Sequence, residues 1–197
     1  MDLLVNNDNL RFKDIKITIF GLPGTGTSTA GKILAQELGF VFRSSGDIFR
    51  QMAADLGLNV NEFNHLAENG DKYDQELDFR VRDYGLENDN FVFDSHLGWH
   101  FIPDSIKVGL VCDYGERIRR ITNREEKDFS VVEQETKDRE GSMAGRYLKY
   151  YGVVYPPNYS DLDLVIDTTT INPEGVVKNI IDFIKTKTNC LNQSNLR

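Results

Sequence analysis

The stretch Gly21-Leu-Pro-Gly-Thr-Gly-Thr-Ser-Thr29 follows the apolar run Ile15–Phe20 and precedes a helical pattern over Ala30–Leu38. This order predicts a β-strand that turns through three glycines into the N-terminus of an α-helix. Consecutive backbone N–H groups and the positive end of the helix dipole then form an anion site of phosphate size. The alternative is that these glycines and threonines only form the turn between strand and helix and bind no ligand. We interpret the stretch as a phosphate-binding loop whose candidate contacts are Gly21, Leu22, Pro23, Gly24, Thr25, Gly26, Thr27, Ser28 and Thr29.

The loop departs from the phosphate-binding template G-x-x-x-x-G-K-[ST] at one position. Gly21 and Gly26 occupy the two glycine positions, and Ser28 supplies the hydroxyl that would meet Mg²⁺. Thr27 stands where the template has lysine. The strand before the loop and the helix after it are the context that the motif requires. We therefore keep the phosphate-binding interpretation despite the missing lysine.

Composition limits what the rest of the chain can be. The 197 residues fit one domain, and 40% hydrophobic residues are enough for a sizeable core. A net charge of −8 argues against a general nucleic-acid binder. Cys112 and Cys190 have neither metal-site nor disulfide-framework spacing, which favours a reducing compartment, and we expect a cytoplasmic protein. No apolar stripe stands apart from those that the core needs, which leaves the oligomeric state open, and our expectation is a monomer.

We expect both ends of the chain to lie outside the folded domain, which we place at residues 14–185. Residues 1–13 have no basic segment and no long apolar core, so they are neither a signal peptide nor a membrane anchor. We interpret them as a flexible extension. Residues 186–197 show no periodicity and are expected to form a flexible tail.

Strand and helix patterns alternate along the domain. After the first strand, further strands are predicted at Phe40–Phe42, Phe91–Phe93, Ile106–Val111 and Leu162–Ile166. The alternation predicts a parallel α/β sheet with ligands at the carboxyl ends of the strands. The segment between the second and third strands is too long for a simple crossover. We interpret it as a small helical lobe.

Several arginines and one carboxylate are predicted to lie at the same edge of the sheet as the loop. Arg117, Arg120 and Arg124 lie on one face of a predicted helix, and Arg139 and Arg146 are seven residues apart on the next helix. Asp94 ends the third strand. The alternatives are that the first three arginines form a solvated face paired with glutamates, and that Asp94 caps the next turn. Ser45 likewise has two possible roles, as a residue that binds a ligand or as a helix cap.

Together these groups are what phosphoryl transfer needs, because that reaction depends on positioning and on neutralising charge at the phosphoryl oxygens. In this interpretation Ser28 coordinates Mg²⁺ and Asp94 holds a Mg²⁺-bound water. Arg50 and Arg80 bind the phosphate of the acceptor. The arginines that close over the transfer site are Arg117, Arg120, Arg139 and Arg146.

The chain also resembles the cytidylate kinases, most closely their short archaeal-type branch. The resemblance runs from about Ile15 to Lys185 and rests on the ordered motifs G-L-P-G-T-G-T-S-T, S-G-D-I-F-R, E-L-D-F-R, V-F-D-S-H-L-G-W, R-I-R-R-I-T-N-R-E, G-R-Y-L-K-Y-Y-G and D-L-V-I-D-T. It implies a P-loop NTPase fold with a five-stranded parallel sheet flanked by helices. It also implies a nucleoside monophosphate (NMP) lobe at about 45–86 and a lid at about 115–150. The implied reaction moves the γ-phosphoryl of ATP, bound with Mg²⁺, to CMP or dCMP.

The resemblance carries site residues with it. The loop at 21–29 would bind the ATP phosphates, Arg124 would join the other lid arginines, and Arg139 and Arg146 would reach the ribose and phosphates. The implied NMP-binding residues are Ser45, Gly46, Arg50, Arg80 and His96.

Three departures from the family pattern affect rate and specificity. Thr27 replaces the loop lysine, and we expect Thr27→Lys to raise turnover unless another cation, such as a lid arginine, already fills that role. His96 replaces a base-reading arginine, and Met143 replaces an acid that contacts the sugar. We expect the His96 imidazole to change charge between about pH 5.5 and 7.5. Two alternatives stay open: a nucleotide-binding protein with weak catalysis, and a kinase of another small acceptor.

Overall fold

A computed structural model describes residues 14–59, 62–63, 66 and 72–194, with side chains up to residue 187. Five parallel strands form one sheet in the order β2-β3-β1-β4-β5. Their bounds are β1 Lys16–Gly21, β2 Val41–Ser44, β3 Phe91–Asp94, β4 Ile106–Val111 and β5 Leu164–Asp167. The predicted parallel α/β sheet is confirmed, and its strand bounds differ from the predicted ones by at most two residues.

Helices cover both faces of this sheet. Among the described residues, α-helices run over α1 Thr27–Leu38, α2 Ser45–Asp55, α3 Lys72–Glu87, α4 Gly98–Phe101, α5 Tyr114–Glu125, α6 Phe129–Tyr151 and α7 Pro173–Ser194, and a short 3-10 helix covers Tyr159–Asp161. None of them is long and apolar enough to cross a membrane.

Successive side chains of a strand point to opposite faces of the sheet, and each face therefore packs against its own layer of helices. Val92 packs with Leu34 of α1 and Ile180 of α7 on one face of the sheet. Its neighbours Phe91 and Phe93 point to the other face and pack with Val81 of α3. A central parallel strand has both faces buried, and in β1 the consecutive residues 17–20 are all buried, Thr18 among them.

The segment between β2 and β3 contains a small apolar cluster of its own. Phe63 is buried and packs on Phe49 and Tyr73, with ring centroids 4.7 Å and 5.1 Å away. Part of the predicted lobe, at residues 60–61, 64–65 and 67–71, lies outside the described residues. The division into a lobe at 45–86 and a lid at 115–150 therefore stays a prediction, as does the extension at 1–13, which also lies outside them.

Two local predictions need correction. The cap of α2 is Ser44, not Ser45: the Ser44 hydroxyl accepts a hydrogen bond from the Asp47 N–H, and the Asp47 carboxylate accepts one from the Ser44 N–H. At the other end of the chain, α7 runs to Ser194, so the irregular tail predicted from residue 186 is wrong up to that point. Residues 186–194 contain neither glycine nor proline, so nothing in them ends the helix.

Candidate active site

The loop between β1 and α1 has the conformation that its glycines permit. Gly24 and Gly26 have φ angles of +88° and +94°, where side chains are rarely tolerated. A Cβ atom on Gly21 would lie 2.2 Å from the Thr25 hydroxyl oxygen, so a larger residue would displace the loop. No side chain caps the N-terminus of α1, which leaves its first N–H groups to a ligand.

Two carbonyl groups of the same loop accept hydrogen bonds, one from within the loop and one from Thr168. The Leu22 oxygen accepts hydrogen bonds from the Thr25 N–H, at 3.1 Å, and from its hydroxyl, at 2.9 Å. The Thr25 oxygen accepts the Thr168 hydroxyl at 2.9 Å. The Thr25 N–H is thus used within the loop, and the uncapped N–H groups at the start of α1 are the ones that can converge on an anion.

Ser28 and Asp94 meet at the mouth of the loop. The Ser28 hydroxyl donates a hydrogen bond to a carboxylate oxygen of Asp94, which lies opposite Ile19 where β3 ends. Burial raises the pKa of the Asp94 carboxyl, while hydrogen bonds from Ser28 and Thr27 act in the opposite direction. Asp94 therefore contacts the loop, and within the described residues it caps no helix.

A hydroxyl and a carboxylate are hard oxygen ligands of the kind that Mg²⁺ prefers. Mg²⁺ in kinases is held by one or two protein oxygens together with substrate phosphates, so these two side chains fit it. The described residues contain no group of three or more acidic, histidine or cysteine side chains that could hold a metal by themselves.

The predicted lid arginines are divided between two environments. The Arg117 side chain is only 5% exposed and donates to the Pro23 carbonyl, at 3.1 Å, and to Glu140, at 2.7 Å. Arg120 donates to the carbonyl oxygens of Thr168, at 2.7 Å, and Gly24, at 3.4 Å. The structure thus brings both to the loop, but onto its carbonyl side and not over a transfer site as the sequence predicts.

Arg124 lies apart from the loop. Its exposed guanidinium pairs with Glu125 at 2.8 Å, as the alternative of a solvated helix face predicts.

The acceptor-side arginines are already paired with carboxylates. In α2, Arg50 contacts Asp47 at 2.5 Å and lies beside the first helical turn, which holds Ser45 and Gly46. In α3, Arg80 contacts Glu76 at 2.8 Å and Asp55 at 3.1 Å. An anionic acceptor would have to compete with these carboxylates.

Arg146 is held by a group that the sequence analysis missed. It forms an ion pair with Asp74 of α3. One helical turn further along α3, the buried Asp78 carboxylate accepts the Tyr151 hydroxyl at 3.0 Å. Burial raises the pKa of Asp78 to about 7. The four-residue spacing of the two aspartates on one helix is a signal that could have indicated a shared face.

His96 lies in a buried aromatic setting at the same edge. Its Nδ1 is 3.0 Å from the Tyr155 hydroxyl. Burial, together with the charge of Arg139, lowers the pKa of His96 to about 4. The predicted change of charge between pH 5.5 and 7.5 is therefore wrong, because the imidazole is neutral throughout that range. Met143 packs with Phe20 and Tyr155 in an apolar cluster.

Comparison with known proteins identifies the family. Residues 16–170 match the cytidylate kinase-like family. A cytidylate kinase of Archaeoglobus fulgidus is 38% identical over 88% of this chain and 96% of its own length. The cytidylate kinase of Methanobrevibacter smithii is 37% identical over 86% and 98%. The chain belongs to the cytidylate kinase-like family. The resemblance seen in the sequence motifs is confirmed.

Comparison with solved structures shows a similar fold in another kinase. Shikimate kinase from Acinetobacter baumannii superposes with a TM-score of 0.63 at 17% identity, over 88% of this chain and 94% of that chain. The P-loop kinase fold predicted from the sequence is thereby confirmed. Membership of the family also makes the chain a nucleoside monophosphate kinase.

Proposed function

We propose that the protein transfers the γ-phosphoryl group of ATP to CMP or dCMP. The observation that carries this proposal is the contact of Ser28, in the phosphate-binding loop, with Asp94 at the end of β3. It joins a phosphate cradle to a carboxylate suited to a magnesium ion, at the sheet edge where ligands of parallel α/β folds bind. The names of the two archaeal relatives support CMP as the acceptor.

Each group then has a defined task in the transfer. The N–H groups of the loop bind the ATP phosphates and keep the γ-phosphorus in line with the acceptor. Arg50 and Arg80 exchange their carboxylate partners for the phosphate of CMP, an oxygen of which attacks the γ-phosphorus. Arg139 and Arg146 neutralise charge on the transferred group. The products are ADP and CDP.

Ser28 and Asp94 would hold the metal, Ser28 directly and Asp94 through a water molecule. When bound, Mg²⁺ neutralises charge on the phosphate oxygens. We further propose that His96 faces the base of the acceptor as a neutral imidazole, with one donor and one acceptor. The cytoplasmic location, the monomeric state and the absence of a nucleic-acid partner stay predictions.

The proposal is tested by coupled ADP release at fixed MgATP with CMP, dCMP, UMP, AMP and shikimate as acceptors. We expect turnover with CMP or dCMP at least tenfold above that with the others, expressed as kcat/KM. Tight ATP binding without turnover on any acceptor would instead favour a binding protein. Turnover with a different acceptor would retain the kinase and reject the acceptor proposed here.

A further inference from the structure

Two arginines of α5 stand behind the phosphate-binding loop, and the loop itself lacks the lysine that its template contains. Arg117 donates to the Pro23 carbonyl and Arg120 to the Gly24 carbonyl. The backbone of α5 is also packed against the loop, because a Cβ on Gly24 would lie 2.6 Å from the Arg117 carbonyl oxygen. The contact between helix and loop is therefore close and involves both backbone and side chains.

The direction of these hydrogen bonds matters for a bound phosphate. The peptide unit is planar and its N–H and C=O groups point in opposite directions. Fixing the oxygen of Pro23 on the α5 side therefore orients the Gly24 N–H toward the other side of the loop, whereas the Thr25 N–H that follows Gly24 is bound to the Leu22 carbonyl and helps to hold the turn. A guanidinium on the oxygen also polarises the amide, which strengthens the hydrogen bond that its N–H can donate.

The two arginines differ in the charge that they leave at the loop. Arg117 is paired one-to-one with Glu140, so its charge is balanced and its contribution is mainly to hold the loop. Arg120 shares Glu116 with Arg119, both at 2.7–2.8 Å, so one carboxylate faces two guanidinium groups. Hydrogen bonds lower the pKa of the exposed Asp167 carboxyl and Arg120 lowers it further, but the Arg120 guanidinium itself donates to the Gly24 carbonyl and so places a positive group directly behind that peptide.

We infer that Arg117 and Arg120 are positioning residues for the nucleotide, and that Arg120 supplies from behind the loop the positive charge that Thr27 does not supply within it. This inference rests on the proposed function only in requiring that the loop bind nucleotide phosphates. It assigns both arginines to the carbonyl side of the loop and leaves the closing of the transfer site to Arg139 and Arg146.

The first test compares Arg120→Ala with Arg119→Ala as a matched control. Both changes remove one arginine from the same helix, but the Arg119 side chain is 61% exposed and, among the described residues, it donates to Glu116 alone. Binding is measured by calorimetry with ADP, whose β-phosphate the loop holds, and with AMP, which lacks that phosphate. We expect Arg120→Ala to weaken the binding of ADP about ten- to hundredfold, which corresponds to the loss of one charge-assisted hydrogen bond. The affinity for AMP should change less than threefold. Arg119→Ala should change neither by more than threefold.

The second test asks whether a lysine in the loop can replace the arginine. We expect Thr27→Lys to raise ADP affinity at least tenfold in the Arg120→Ala background, and to raise it much less in the natural background, where Arg120 is present. For Arg117, which is buried, Glu140→Gln is the safer variant because it keeps the side-chain shape. Glu140→Gln should weaken the binding of ADP about three- to tenfold and leave the affinity for AMP unchanged.

Equal losses for ADP and AMP, equal effects of Arg119→Ala and Arg120→Ala, or a Thr27→Lys effect that is the same in both backgrounds would each overturn the inference. The proposed function is tested separately, by the acceptor assay with the unmodified protein. A protein that binds ADP in the expected pattern but does not phosphorylate CMP would contradict the function and leave the role of the arginines intact.

Discussion

At the scale of single residues, the Ser28 hydroxyl has a role that its neighbours in the loop do not share. The loop binds phosphate mainly through backbone N–H groups, which survive any change of side chain. Ser28 instead offers an oxygen to the metal, next to the Asp94 carboxylate. Loss of that oxygen should therefore affect the metal-dependent chemical step more than nucleotide binding.

We predict that Ser28→Ala lowers kcat with MgATP about ten- to hundredfold, the usual cost of disturbing a metal site, and changes metal-free ADP affinity less than threefold. Steady-state kinetics and calorimetry measure the two quantities. Ser160→Ala, which removes an exposed hydroxyl far along the chain, is the control. Equal losses in kcat and ADP affinity would count against a metal role for Ser28.

His96 illustrates how burial changes the meaning of a substitution. An arginine at this position would match the family pattern, but it would place a permanent charge beside Tyr155 and close to Arg139. Burying a charge without an acidic partner is costly. The variant that restores the family residue should thus be less stable than the natural protein.

We predict that His96→Arg lowers the free energy of unfolding by roughly 2–4 kcal/mol in urea titrations. His96→Gln keeps a neutral side chain and should lose less than about half as much. If His96→Arg were as stable as the natural protein, arginine would have found a partner that the present packing does not offer.

At the scale of secondary structure, α3 and α6 are joined by a contact that competes with the acceptor. Arg146 of α6 pairs with Asp74 of α3, and both side chains are partly exposed. Such pairs contribute little to stability, so a phosphate can displace the carboxylate. The two helices could then be held by the nucleotide in place of the ion pair.

We predict that Asp74→Asn lowers the KM for CMP about three- to tenfold, because the amide competes for Arg146 less strongly than the carboxylate does. The unfolding free energy should change by no more than about 1 kcal/mol. Asp83→Asn is the matched control, since Asp83 lies on the same helix and pairs with the exposed Arg82. A higher KM in Asp74→Asn would mean that Asp74 orients Arg146 for the nucleotide.

The sequence predicts those features that depend on neighbours along the chain. The glycines of the loop determine its turn, and the apolar run of β1 indicates a strand covered on both faces, so both are recognisable locally. These predictions agree with the structure.

Features that depend on distant partners were not predictable in this way. Arg117, Arg120 and Arg124 have the same spacing that any helix face would give, yet Arg117 is buried under Glu140, 23 residues away. The partner of Arg146 is 72 residues away on α3. Which arginines face a ligand is therefore decided by packing between elements, and periodicity along one helix does not contain that information.

At the scale of the whole molecule, buried ionisable groups with opposite effects determine how stability depends on pH. His96 has a pKa lowered to about 4, so it favours the folded state increasingly as pH rises from about 4 toward its ordinary value of 6.5. Asp78 has a pKa raised from 3.8 to about 7, so it favours the folded state at low pH. The two contributions partly cancel in the natural protein, and a variant is needed to separate them.

Asp78 faces groups on two helices. The Tyr151 hydroxyl donates to it, Arg146 lowers its pKa, and Asp74 raises it, but burial has the largest effect. Between about pH 4 and 7 the unfolded chain releases the proton that the folded protein keeps. Folding is therefore disfavoured progressively as pH rises, by up to roughly 4 kcal/mol once both pKa values are passed.

We predict that Asp78→Asn has nearly the same unfolding free energy as the natural protein at pH 4, and becomes more stable by about 2–4 kcal/mol at pH 8. The amide oxygen still accepts the Tyr151 hydroxyl, while the cost of a buried negative charge is gone. Urea titrations at intervals of about half a pH unit would show the difference rising between pH 4 and 7 and then levelling off. Asp83→Asn, at an exposed position on α3, should give a small difference independent of pH in this range. A constant difference between Asp78→Asn and the natural protein would mean that Asp78 is charged in the folded state throughout.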